Sequence, residues 1–229
     1  MKAVETNKRR AHLLEGTKRM PIRKATHAMP VELDEKVRPS RELGELIQLI
    51  QKGAIAQRLD AAHSLVAFGE VAAEALCAAL LNEADDALRD AIAVSLARVG
   101  GRSVVSGLAP MLRSDDAAIR NIAVDILKEL PQAVAPLMET LLDDPDPDVR
   151  ILLVNVLGSL RHAKVEQWLI DVVDRDENVN LVAVAIEALD EIGGAAARGA
   201  LSRAADRFSH EPFIVFSAEN ALLHISSRA

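Results

Sequence analysis

Apolar residues along most of this chain recur at helical spacing, and the pattern itself returns about every thirty residues. Arg58, Arg89, Arg120 and Arg150 mark the period, standing 31, 31 and 30 residues apart. Seven positions after each comes a leucine (Leu65, Leu96, Leu127, Leu157), and the register continues to Leu189 and Leu222. Ten positions after stand Phe68, Val99, Leu130, Leu160, Ile192 and Ile225. The clearest copy is the stretch 143–160. A proline-punctuated acidic turn there leads into a helix with Leu153, Val156, Leu157 and Leu160 on one face. A fixed period in this range predicts stacked helix pairs, each too small to bury its own apolar surface.

Six pairs are predicted from Pro39 onward. They are 41–51 with 54–68, 70–81 with 86–99, 102–112 with 117–130, 132–142 with 147–160, 164–173 with 178–192, and 195–205 with 212–225. Ser40 is the expected N-cap of the first helix. Gly69, Gly100-Gly101 and Gly193-Gly194 stop helices, as does Pro131. Acidic turns inside the pairs supply carboxylates to cap each second helix. The expected fold is an all-α solenoid, a curved right-handed superhelix with the second helices lining its concave face.

Charge divides the chain in two. Residues 1–38 hold ten Lys and Arg against five Asp and Glu, and residues 39–229 hold 17 against 29. The basic segment has no sustained helical period. It reads either as a flexible arm or as a cap docking Met20, Ile22, Met29, Val31 and Leu33 on the first repeat. Its 8–24 stretch could fold back over the acidic array at Asp125, Asn155 and Glu187. An acidic array with no Tyr, one Trp and four Phe is poorly suited to holding nucleic acid. No run reads as a membrane span, and no leader-like apolar segment opens the sequence. A cytoplasmic location without membrane contact is the expectation. The single Cys77, mid-helix, reads as a buried thiol.

The recurring text D-x-x-V-R-x-x-A-x-x-A-L-x-x-[IL]-G resembles the HEAT repeat, and more closely the short version found in bilin lyase-like HEAT proteins. The resemblance covers about 39–226 and is strongest at Leu88-Arg89, Ile119-Arg120 and Val149-Arg150. It weakens where Val182 and Val215 replace the arginine. It implies a scaffold for protein contacts. Relatives that hold two irons use four His-Glu dipeptides, whereas this chain has one, His210-Glu211. The arginine itself reads as a rung pairing with turn carboxylates.

Candidate chemistry is sparse. The six histidines show no metal-ligand spacing, and neither a nucleophile elbow nor a phosphate loop occurs. No metal, cofactor or catalytic residue is therefore expected. What remains is the side of each second helix that points away from the core. Five positions after the arginine site stand His63, Val94, Asp125, Asn155, Glu187 and Asn220, and one position after stand Leu59, Asp90, Asn121, Ile151, Ala183 and Phe216. Such rows suit a solvated helix face or a surface that grips a peptide backbone and basic side chains. The candidate contact residues are Asp90, Asn121, Asp125, Ile151, Asn155, Glu187 and Asn220. The expected role is a non-catalytic scaffold or adaptor for another protein or peptide of basic character. The alternative is an accessory subunit of a cofactor-attaching enzyme, like the bilin lyases.

Overall fold

The computed structural model describes residues 37–228, and every regular element among them is helical. Expectations for the basic segment, whether arm, cap or groove occupant, fall outside these residues. The helices are α1 (Val37–Lys52), α2 (Ile55–Leu65), α3 (Ala73–Leu81), α4 (Asp86–Val99), α5 (Gly101–Leu108), α6 (Ala117–Lys128), α7 (Pro131–Val134), α8 (Met138–Leu142), α9 (Pro147–Ser159), α10 (Val165–Arg175), α11 (Val179–Ile192), α12 (Arg198–Arg207) and α13 (Pro212–Arg228). They form six pairs, and the pairs stack in chain order. Second helices pack in the series α2, α4, α6, α9, α11, α13, while α1 packs on α3, α3 on α5, α5 on α7 and α10 on α12. The described part is an α-solenoid.

First and second helices differ in regularity. Among the first helices, α5 passes into a 3-10 turn containing Pro110, and α7 and α8 are parted by another containing Pro136. Each proline removes a backbone donor and bends the path. The second helices from α4 onward run unbroken for 12 to 17 residues. Their entry is set by the acidic turns as expected. Asp85 accepts from the N–H of Leu88, Asp116 from Ala118, Asp146 from Asp148 and Asn178 from Leu181, all at 2.8–3.0 Å. Ser40 is not a cap. The chain is already helical at Val37, so Ser40 lies inside the first helix and Pro39 falls in its first turn, where no intrahelical N–H is needed.

One stretch is apolar enough to need a separate account. Ile55–Leu81 has the length of a membrane span and holds an 18-residue window of mean hydropathy 1.8. It is not one straight helix. Gly69 sits at φ 57°, ψ −144°, a conformation open to glycine, and breaks it between α2 and α3. Ala61, Ala62, Leu65, Leu76 and Leu80 on either side of the break are buried in the shared core.

That core runs continuously from Ile50 to Ile225. The residues three positions after the arginine site, Ala61, Ile92, Ala123, Leu153, Ala185 and Ala218, are all buried. The leucines seven after are buried through Leu189, and Leu222 in the last pair is half-buried. Ile192 departs from its row and is 43% exposed.

The arginines lace neighbouring pairs together. Arg150 donates from Nη1 to the Asp144 carbonyl of its own turn at 2.7 Å, and from Nε and Nη2 to both carboxylate oxygens of Asp176 in the next pair. Arg89 does the same with the Glu83 carbonyl (2.7 Å) and Asp116 (3.0 Å), and Arg58 with the Ile50 carbonyl and Glu83. Arg120 binds only its own turn, at the carbonyls of Ser114 and Asp115, and Arg113 reaches Asp144 instead. Where Val182 takes the arginine's place, Arg203 and Arg207 of α12 reach back to Asp174 and to the carbonyls of Val173 and Asp176. Glutamates add a second lacing. Glu70 accepts from the Ser103 N–H at 2.7 Å, and Glu166 from the Gly194 N–H at 2.7 Å. Gly101 sits beside Glu70, and a Cβ there would lie 2.3 Å from the carboxyl carbon.

These contacts hold some carboxyls below their usual range: Glu70 through the Ser103 N–H, Asp116 through the Ala118 N–H and then Arg89, and Glu139 through the Trp168 indole and then Lys164.

Four outcomes are expected. Leu127→Ala and Leu157→Ala, both at fully buried positions, should each lower the unfolding free energy by about 2–5 kcal/mol in urea titrations. Arg150→Ala should cost about 2 kcal/mol, since it leaves the half-buried Asp176 carboxylate without its cation and the Asp144 carbonyl without its donor. Arg41→Ala, whose pair with Glu45 is 69% exposed on the arginine side, should change stability by less than about 0.5 kcal/mol. A carboxyl whose folded pKa is depressed stabilises the fold above its ordinary value, 4.5 for Glu70, and that contribution is lost as pH falls through the folded pKa. Melting temperature should therefore drop on acidification below this range. Glu70→Gln should flatten that drop, and a parallel pH profile would contradict the assignment.

Candidate functional site

Each second helix buries one stripe and leaves the opposite side open. On α9 the buried stripe is Val149, Leu153, Val156 and Leu157, and Asn155 points out. The row five positions after the arginine site is exposed at His63, Val94, Asp125, Asn155 and Glu187, and Asn220 is half-buried. In the row one position after, Asp90, Asn121 and Phe216 are exposed, and Leu59, Ile151 and Ala183 are half-buried. Because α4, α6, α9, α11 and α13 stack in sequence, these residues lie on the same side of consecutive helices. They form one surface with carboxylates at Asp90, Asp125 and Glu187 and amides at Asn121, Asn155 and Asn220. Asp125 approaches Lys128 one turn on, at 3.8 Å.

The structure gathers part of this surface into a cleft of about 360 Å³ between α11 and α13. Glu187 and Asn220 line it, together with Asn180, Asp190, Phe213 and Phe216. Phe213 and Phe216 are each 67% exposed, and Leu223, two turns on from Phe216, is 69% exposed. Their exposure follows from the stripe of α13, where Ile214, Ala218, Ala221 and Ile225 face the core and turn these three to solvent. The far end of α13 is tied down. His224 Nδ1 meets the Asp190 carboxylate at 2.8 and 3.0 Å, and Arg228 donates to the Glu191 carbonyl at 2.9 Å.

Ile151 stands apart from Glu187 and Asn220. It lines a separate depression between the third and fourth pairs with Arg113, Arg120, Asp146 and Asp148. Asp90, Asn121, Asp125 and Asn155 line neither of these two clefts.

Sequence reasoning passed over Phe213, Asn180 and Asp190. The same helix side contains the positions two before and eight after the arginine site. Those positions hold Asn180 and Asp190 on α11, and Phe213 and Leu223 on α13. Extending the two rows by one turn at each end would have found them.

Cys77 is buried against Gly107 and its thiol is pushed up to about 11 by burial, which makes it a packing residue. Trp168 is buried on α10, with its ring stacked on His162 at 5.2 Å and its N–H directed to Glu139. Among the described residues, no three His, Cys, Asp or Glu side chains are grouped so that they could hold a metal ion.

The sequence profile of the HEAT repeats family matches residues 134–215. No curated protein matches the chain. Among solved structures, an archaeal HEAT-like repeats protein from Thermococcus onnurineus NA1 is similar at 17% identity and a TM-score of 0.41, over 84% of this chain and 90% of that one. A computationally designed armadillo repeat protein for modular peptide recognition aligns at 16% identity and TM-score 0.36, over 80% and 99%. The complex of CpcE and CpcF of phycocyanin lyase from Nostoc sp. aligns at 21% and 0.33, over 89% and 99%. The segment 134–215 is similar to HEAT repeats, and the helix pairs that precede it are built on the same two-helix plan.

Proposed function

We propose that the protein is a non-catalytic cytoplasmic scaffold that holds a basic, extended segment of a partner protein across the open side of its second helices. The observation that carries this reading is the outward surface of acids and amides on successive stacked helices, with Asp90, Asn121, Asp125, Asn155 and Glu187 exposed and Asn220 half-buried. Asparagine offers both a donor and an acceptor, the pair of groups an extended backbone needs. Stacked helices lie about 8–10 Å apart and an extended peptide rises about 3.3 Å per residue, so each helix meets about three residues. Carboxylates at this spacing steer a basic segment toward the surface and set its register. Val94, 53% exposed, adds an apolar contact within the same row.

A fluorescein-labelled peptide of about fifteen residues, rich in Arg and Lys, should bind the full chain at low salt and weaken as salt rises. The double variant Asp90→Lys, Asp125→Lys should bind it at least about tenfold more weakly, a change of about 1.4 kcal/mol. Its helical circular dichroism and melting temperature should stay unchanged. Equal affinity for the variant would overturn the proposal.

A further inference from the structure

We infer that the cleft between α11 and α13 receives one arginine side chain of the partner, an inference that rests on the scaffold reading above. Two carboxylates, Glu187 and Asp190, line the cleft and no Lys or Arg does. Asp190 is already engaged by His224 at 2.8 Å. Glu187 is exposed, and among the described residues no cation pairs with it. An unneutralised acid beside two open aromatic rings is complementary to a cation that also has a flat face. The guanidinium is that group, since it stacks on aromatic rings and binds a carboxylate through two parallel N–H bonds. Lysine offers a point charge and no plane.

Helical spacing sets the geometry. Phe213 and Phe216 lie three residues apart on α13, and so on neighbouring positions of one helix side. Glu187 comes from the facing helix, and its approach to the cleft is shared by the Asn180 and Asn220 amides. Their carbonyl oxygens can accept guanidinium N–H groups that the carboxylate leaves free. At about 360 Å³ the cleft is near the lower end of the range for small-molecule sites, a size suited to one long side chain. In a chain with only four Phe, two of them stand open in this one cleft, a concentration of ring surface that the fold does not need. Ile214, Ala218, Ala221 and Ile225 already bury the core side of α13.

The test uses the full chain with its phenylalanine rings labelled with carbon-13, and N-acetyl-arginine amide as the probe. Saturable shifts are expected at Phe213 and Phe216 and not at Phe68 or Phe208, with the four rings assigned by single Phe→Leu changes. The neutral citrulline counterpart should leave the rings unmoved. Glu187→Gln should weaken arginine binding about threefold to fivefold, the upper size expected of an exposed ion pair. Its melting temperature should match that of the parent, because residue 187 is on the surface. Equal response to citrulline, shifts spread over all four rings, or no saturable shift would each overturn the arginine pocket. The labelled basic peptide separates this failure from a wider one. Peptide binding that persists and depends on Asp90 and Asp125 would leave the scaffold reading standing without the pocket. Loss of both responses would remove both.

Discussion

Every other feature of this structure depends on the burial that one helix pair obtains only from the next. A pair of about thirty residues presents apolar side chains on more than one side, and neither side can be hidden within the pair. Leu96, for example, belongs to α4, which packs on α3 in its own pair and on α2 and α6 to either side. The core is therefore a ribbon running the length of the described array, from Ile50 to Ile225. The position three after the arginine site is occupied by Ala in four of the six pairs, and those small side chains allow close approach of stacked helices. Longer aliphatics fill the space between them.

The polar lacing follows from the same constraint. Stacking pairs leaves a turn from each repeat against the turn of the next, with carbonyls that the helices do not satisfy. Arg89 and Arg150, in the first turns of α4 and α9, meet this need, because each guanidinium reaches a carbonyl of its own turn and a carboxylate of the neighbour together. The site at Val182 shows that the requirement belongs to the junction and not to one residue. With no arginine there, Arg203 and Arg207 enter from the following pair and satisfy the carbonyls of Val173 and Asp176. The rung is built from the other side.

Much of this was legible in the sequence because helix packing imposes a period. The leucine register, the capping acids and the bounds of α4, α9 and α11 all follow from local rules that the neighbours reinforce. The departures have physical reasons. Ser40 resembled a cap, yet the chain is helical from Val37 and a proline in the first turn is no obstacle to that. Gly69 was read as a helix stop, and its positive φ is the break that parts α2 from α3 within an apolar stretch. Pro110 and Pro136 were visible, but the 3-10 turns they impose on the first helices depend on how the neighbours pack. The outward rows of the second helices could be read from periodicity. The cleft could not, because it requires two helices to be set side by side, and the periodic reading stopped one turn short of Phe213 and Asp190.

Lacing also determines the electrostatic character of the open face. Arg58, Arg89 and Arg150 start on second helices, where they would soften a negative surface, but each is drawn to the turn edge and held there by a carboxylate of the next pair. Arg203 and Arg207 are drawn to the same edge from α12. The turn acids Glu83, Asp116, Asp174 and Asp176 are neutralised in the process. Asp90, Asp125 and Glu187 lie on the opposite, outward side, beyond the reach of those arginines, and Lys128 is the one cation among the described residues that approaches any of them. A fold that places its cations in the seams leaves a face of acids and amides. The negative character of that face is thus a consequence of how the repeats hold one another.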